Sequence, residues 1–398
     1  MFYVLSWIAG LNEGNKIGIY CSDASGAFDR VDSELLLRKL ESFGLNAKLI
    51  SVIRSWLQQR QGFVIVNGEK SDPMRLFDMV FQGTVWGPIL WNVYFGDCVC
   101  AISCCGFEAV IYADDCNAFK CYPRSMSNAA IMESLMECQA SLHSWGRANR
   151  VIFDAGKEET MVISTVGGAG GPVKLLGIEF DNKLTMSTAT HKCATSAALK
   201  AKALLRARRF YSTADLVMLY KSHVLSFIEY RTAGIHFAST SVFTDIDDSQ
   251  VRFLRQIGLT EVLAFMEFNL APLSARRDIA MLGCIHRAVS LQGPPALWKF
   301  FRRETAPRAT STRRGIRHSF QLIEWQPGRD LEVMRRSALG MIRVYNMLPQ
   351  EVVEKAEVKA FQDALTQLLR DRVNGGDVNW HRLFSPRHRL FQSHPLLR

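Results

Sequence analysis

Short continuous apolar runs alternate with helix-spaced apolar positions up to about residue 180, and beyond about residue 187 only the helical spacing persists. The run Gly18-Ile19-Tyr20-Cys21-Ser22 predicts a strand from Lys16 to Ser22 that ends on the carboxylate of Asp23. Asp32 or Ser33 is placed to cap a helix running to Phe43, which Gly44 stops. Leu49, Ile50, Ile53, Trp56 and Leu57 share one face of a second helix. Phe63 to Val66, the turn pair Asn67-Gly68 and the segment Met74 to Val80 read as a hairpin. Residues Gln82 to Pro88 predict a turn into a helix, with Pro88 in its first turn. The apolar run Phe107 to Ile111 predicts a buried strand. With Cys116 to Cys121 it forms a hairpin whose tip is Tyr112-Ala113-Asp114-Asp115. A long helix is expected from about Ser127 to Asn149, then short strands at Arg150–Phe153 and Thr160–Ser164. Gly167 to Gly171 reads as a flexible connector, because no Gly-Lys-Ser/Thr follows to make a phosphate loop. Val173 to Phe180 predicts one further strand, turning at Asp181-Asn182-Lys183. The first fifteen residues carry no motif.

This order predicts an α+β region followed by an all-helical one, without tandem repeats. If the two apolar strands lie side by side, Asp23 and Asp114 converge with Asp115 beside them. Such an oxygen-rich set suits hard divalent cations and phosphoryl transfer. The apolar fraction of 48% over 398 residues excludes a disordered chain. No apolar stretch reaches membrane-spanning length, and the start Met1-Phe2-Tyr3-Val4 lacks the basic flank of a signal peptide. The expectation is therefore an intracellular chain, in nucleus and/or cytoplasm, with no membrane partner. Ten cysteines fit a reducing compartment. Cys98, Cys100, Cys104 and Cys105 are crowded, but no spaced second pair or nearby histidine completes a zinc site, so buried thiols are expected. The formal charge of +10 favours a polyanionic partner. It is clustered. Asn182 to Ala214 contains no acid but holds Lys183, Lys192, Lys200, Lys202, Arg206, Arg208 and Arg209. A second stretch carries Arg302, Arg303, Arg308, Arg313, Arg314 and Arg317. Each reads either as a solvated face or as a nucleic-acid contact.

Five segments, in order, resemble the polymerase motifs of reverse transcriptases from non-LTR (LINE, jockey-like) retrotransposons. They are Asp23-Ala24-Ser25-Gly26-Ala27-Phe28-Asp29-Arg30-Val31, Phe81 to Asn92 around Gln82-Gly83, Tyr112-Ala113-Asp114-Asp115, Asp154-Ala155-Gly156-Lys157, and Leu175-Leu176-Gly177-Ile178 with Asp181. The resemblance covers roughly residues 16 to 190 and is looser after that. It implies a right-hand palm, an antiparallel sheet with helices on one face, followed by a helical thumb and C-terminal region. It also implies RNA-directed DNA polymerase activity with two Mg²⁺ (or Mn²⁺), an RNA template, a DNA primer and deoxynucleoside triphosphates; protein partners are not indicated. Asp23 and Asp114 would bridge the metals, with Asp115 in support. Lys157 would meet pyrophosphate, or stay a solvated lysine. Ala24, through its carbonyl, would shape the substrate site with Gln82, Gly83 and Tyr112. Phe28 would exclude a ribose 2′-hydroxyl, a core phenylalanine being the alternative. Lys174, Leu176 and Gly177 would hold the primer, and Lys202, Arg206 and Arg209 the duplex. Small residues Ala197, Ala198, Ala201 and Ala203 would let a duplex approach.

The expected division is palm with a remnant of fingers at 1–165, primer-grip hairpin at 166–186, helical thumb at 187–240 and a basic helical region of unassigned role at 241–398. Because the chain starts just ahead of the first motif, the resemblance implies a fingers region that is missing. That leaves a second reading, an inactive fragment that only binds nucleic acid. A nucleotide cyclase is disfavoured by Gln82-Gly83 and Phe28.

Overall fold

Lys16–Ser25 forms strand β1, around which the region of the sequence motifs is built. The computed structural model describes the chain except residues 59, 77–78, 305–317, 326–327, 330, 388–393 and 398. Arg308, Arg313, Arg314 and Arg317 of the second basic stretch therefore lie outside the described residues. The chain divides into two compact units. One holds Asn15–Gly177 and Asp181–Lys183; the other holds Met1–Gly14, Ile178–Phe180 and Leu184–Arg398.

In the first unit, β1 is the centre of an antiparallel sheet with β2 (Glu108–Tyr112), β3 (Asp115–Tyr122), β4 (Ile152–Phe153), β5 (Glu159–Ile163) and β6 (Ala169–Gly170). The order is β6-β5-β1-β3-β2, with β4 pairing the end of β1 at Ala24↔Phe153 and Ser25↔Ile152. Helices α1 (Ser33–Ser42), α2 (Ala47–Leu57), α3 (Gly87–Phe95) and α4 (Asn128–Ala148) belong to the same unit. Asp32 caps α1 by accepting from the Leu35 amide at 2.8 Å, and Ser127 caps α4 through the Ala130 amide. Pro88 sits in the first turn of α3. Leu135 and Leu142 of α4 join Tyr20, Ala118 and Val162 of the sheet in one apolar core. Gly18 permits this approach, since a Cβ there would stand 2.9 Å from Ile131 Cγ2 and from Tyr122 Cε2.

Five expectations change. The strand from the Phe107 run is not buried; β2 lies at the sheet edge, with Glu108, Val110 and Tyr112 exposed, so its apolar letters reflect strand propensity more than burial. The Asn67-Gly68 turn forms with φ of 51° and 87°, but its return arm is Glu69–Lys70, and Met74–Leu76 pairs instead with Arg60–Gly62. The glycine connector is partly structured, because Ala169–Gly170 extends the sheet against Met161 and Val162. The single strand at Val173–Phe180 is interrupted, with Leu176 at φ 46° and Gly177 at φ 77° making a turn between Val173–Leu175 and Ile178–Phe180. Of the crowded cysteines, Cys98 is buried whereas Cys100 and Cys104 are exposed.

The second unit is helical. It contains α5 (Ser187–Arg206), α6 (Thr213–Tyr220), α7 (Leu273–Val289) and α8 (Val358–Asn374) among others, and the N-terminal helix Phe2–Asn12, whose Trp7 ring meets Phe180 edge-on at 5.5 Å. No described helix is long and apolar enough to cross a membrane. His286 stacks on Phe361 at 4.0 Å and its Nδ1 lies 2.9 Å from the Tyr345 hydroxyl. Burial lowers the pKa of His236, His286 and His318 below the ordinary histidine value. The folded state thus binds these protons less readily than the unfolded one. Stability from the neutral forms is complete above the unfolded pKa near ~6.5 and is lost as pH falls below it. Thermal melts of the chain between pH 7.5 and 5 are expected to show a falling midpoint, and replacing His286 by Gln should flatten that fall.

Candidate functional site

The site is assembled from backbone register. β1 and β3 pair so that Asp23 faces Asp115, and opposed residues in an antiparallel pair share a face. Tyr112 pairs with Asp115, leaving Ala113 and Asp114 as the two-residue turn. Ala113 adopts φ 54°, a left-handed conformation costing a non-glycine residue roughly 1–3 kcal/mol. Two bonds hold that turn. The Trp91 indole donates to the Ala113 carbonyl at 2.8 Å, and the Ala24 amide donates to the Asp114 carbonyl at 3.1 Å. On the other side of β1, the Asp154 amide donates to the Asp23 carbonyl at 3.0 Å, and the Lys157 amide donates to the Asp154 carbonyl at 2.8 Å. Lys157 Nζ then reaches Asp23 Oδ2 at 2.5 Å.

The electrostatics follow. Burial, then the charges of Asp114 and Asp23, raise the Asp115 pKa above its ordinary value, and Lys157 opposes them. The hydrogen bond to Asp23, and then its charge, raise the Lys157 pKa. Like charges held this close are destabilising unless a cation joins them. The donors are all carboxylate oxygens, the chemistry that Mg²⁺ and Mn²⁺ prefer. The set therefore fits a divalent cation chemically. In the arrangement seen, no three His, Cys, Asp or Glu side chains among the described residues are gathered within reach of one metal ion. The Lys157 ammonium lies against Asp23 instead.

Other candidates from the sequence fall at the rim or elsewhere. Ala24 is buried on β1. Phe28 lies on a short 3₁₀ turn, half-buried, its ring 5.9 Å from that of Trp91. Gln82 and Gly83 are exposed in the turn before α3, where Gly83 at φ 78° has nothing within 4 Å of a notional Cβ. Tyr112 is 64% exposed. Lys174 is exposed and its amide donates to Glu159 Oε2 at 2.6 Å. Leu176 and Gly177 form the turn described above. Lys202, Arg206 and Arg209 are exposed in the helical unit, with Arg209 stacked over Phe210 at 4.6 Å. In α5, Ala197 and Ala201 are buried inside that unit, so their small size serves internal packing, while Ala198 and Ala203 face solvent.

Two features escaped the sequence reading. Trp91 occurs within the second motif, but nothing in its spacing signals that the indole holds the Ala113 turn. Glu158 stands beside Lys157 with no motif to mark it, yet its side chain is only 6% exposed.

Residues 9–180 match the family described as reverse transcriptase (RNA-dependent DNA polymerase). The chain is 27% identical over 267 residues to the RNA-directed DNA polymerase from mobile element jockey of Drosophila melanogaster, covering 62% of this chain and 29% of that protein. Its Drosophila funebris counterpart is 26% identical over 256 residues, covering 59% and 28%. A probable RNA-directed DNA polymerase from transposon BS of Drosophila melanogaster is 27% identical over 175 residues, covering 41% and 19%. The chain thus spans less than a third of the length of these curated relatives. The carboxylate-bearing sheet lies within the stretch that matches this family, so Asp23, Asp114, Asp115 and Lys157 all fall inside residues similar to reverse transcriptases.

Proposed function

We propose that this chain is an RNA-directed DNA polymerase that adds deoxynucleotides to a primer 3′-hydroxyl on an RNA template. The observation carrying this is the juxtaposition of Asp23, Asp114 and Asp115 with Lys157 at one end of the sheet. Asp23 and Asp114 would hold two Mg²⁺ ions (or Mn²⁺) between them, with Asp115 in support. Bound there, the ions would lower the pKa of the primer hydroxyl and offset charge on the leaving pyrophosphate. Lys157 would leave Asp23 to give a proton to, or neutralise, that pyrophosphate. Ala24 would offer its carbonyl to the nucleotide, and Tyr112 would border it at the hairpin edge. Gln82 hydrogen-bonds the substrate, and Gly83 lets backbone approach it closely. Lys174, Leu176 and Gly177 take the primer backbone, and Lys202, Arg206 and Arg209 meet duplex phosphates without reading sequence.

Phe28 would lie beneath the sugar and reject a 2′-hydroxyl. Phe28→Val is expected to raise ribonucleotide incorporation relative to deoxynucleotide on the order of 10- to 100-fold, measured as the ratio of kcat/KM values. An unchanged ratio would return Phe28 to a packing role beside Trp91.

The test of the function is extension of an oligo(dT) primer on poly(rA) with Mg²⁺. Templated DNA synthesis supports it. Binding of the primer–template without extension supports the second reading, a nucleic-acid-binding chain without turnover.

A further inference from the structure

Lys157 and Glu158 are neighbours with opposite fates. Lys157 is 62% exposed at its side chain and reaches Asp23; Glu158 is 6% exposed and turns into the sheet–helix layer. The Glu158 carboxylate gathers donors from two elements. The Tyr20 hydroxyl donates to Oε1 at 2.7 Å and the Ser22 hydroxyl at 3.2 Å. His143 Nε2 lies 2.6 Å from the same oxygen, and the Gln139 amide donates to Oε2. Tyr20 and Ser22 belong to β1, Gln139 and His143 to α4. His143 is itself fixed by stacking on Phe153 at 5.6 Å. Burial opposes ionisation of Glu158, but its hydrogen bonds from His143, Tyr20 and Gln139 outweigh burial and hold its pKa below the ordinary glutamate value. The anion is therefore the form this pocket is built for.

The register explains why this matters. Backbone pairing of β1 with β5 runs Tyr20↔Thr160 and Cys21↔Glu159, then stops. Continued by two residues, it places Glu158 opposite Ser22 and Lys157 opposite Asp23. The side chains follow that continuation, Ser22 on Glu158 and Lys157 on Asp23. Lys157 lies in the turn that its amide closes on the Asp154 carbonyl, so with Glu158 seated inward just ahead of β5 the preceding side chain is left on the side of Asp23. A slip of one residue would bring either Glu158 or Gly156 opposite Asp23 in place of the ammonium.

We propose that Glu158 is a positioning residue, whose carboxylate docks on Tyr20, Ser22, Gln139 and His143 and thereby sets the register that delivers Lys157 to Asp23. Its consequence for catalysis rests on the polymerase reading above; the geometric claim does not.

Two measurements keep these apart. In ¹⁵N-lysine-labelled chain, the Lys157 ammonium signal, identified by its loss in Lys157→Ala, is expected to show slowed solvent exchange. That protection should vanish in Asp23→Asn and in Glu158→Ala and weaken in Tyr20→Phe, which removes one donor without opening a large cavity. In primer extension, Glu158→Ala is expected to slow turnover by roughly tenfold or more with primer–template KM unchanged, and to have no further effect when Lys157 is already Ala. Glu158→Gln, which keeps an acceptor for Tyr20, should recover part of the loss. An unaltered ammonium signal in both Glu158→Ala and Tyr20→Phe would overturn the proposal, as would equal losses from Glu158→Ala with and without Lys157. Protection that depends on Glu158 in a chain that extends no primer would sustain the positioning role and remove the polymerase reading.

Discussion

Asp114→Asn and Asp23→Asn are each expected to lower RNA-templated primer extension by at least roughly 10³-fold, while primer–template affinity stays within a few-fold. Both changes keep the volume and hydrogen-bonding outline of the side chain and remove one negative charge. The backbone bonds that shape the site, Ala24 amide to Asp114 carbonyl and Asp154 amide to Asp23 carbonyl, are untouched by side-chain substitution. The effect should therefore fall on chemistry. Stability should change little, because each substitution relieves the crowding of Asp115 while Asp23→Asn also gives up the charge that pairs with Lys157. Rapid-quench extension with anisotropy binding, paired with thermal melts, separates these outcomes. A variant that loses extension because it melts early would argue against the assigned roles.

Trp91→Ala is expected to cost about 3–5 kcal/mol and to unfold the catalytic unit at physiological temperature, the usual range for emptying a buried aromatic site. Trp91 is 2% exposed, stacks on Phe95 at 4.8 Å and borders Tyr94 and Phe28. Trp91→Phe is the more informative change. It keeps most of the apolar contact but leaves the Ala113 carbonyl without its indole donor, a net loss of about 1 kcal/mol or more. That carbonyl belongs to the strained turn that aims Asp114. Extension should fall more than stability does, as measured by denaturant midpoint against turnover. Equal retention of turnover and stability would show that the turn keeps its shape without Trp91.

Much of the catalytic unit is legible in the letters. Asp23, Asp114 and Asp115 stand at the ends of short apolar runs that read as strands, and antiparallel pairing brings such strand ends together. The Asp32 cap was legible because Asp32 precedes an apolar-periodic segment, and it binds the amide three residues on. What was not legible is pairing and face. Apolar letters in Glu108–Tyr112 suggested burial, but a strand's exposure depends on whether it has one neighbour or two. The sequence placed Asp114 opposite Asp23 in role; register puts Asp115 directly across from Asp23, with Asp114 in the turn. Glu158 was invisible because its four partners come from residues 15 to 138 positions away. The alanines of α5 read as a smooth surface for nucleic acid, yet Ala197 and Ala201 face the interior, a distinction that composition cannot make.

The central claim is that Asp23 and Asp114 serve one cation position. Mn²⁺ titration of the chain, followed by the loss of the free-ion electron paramagnetic resonance signal, tests it most directly in the presence of primer–template and a deoxynucleoside triphosphate. The account predicts protein-dependent Mn²⁺ uptake that is lost in Asp23→Asn and equally lost in Asp114→Asn. Uptake that survives either substitution unchanged would contradict it.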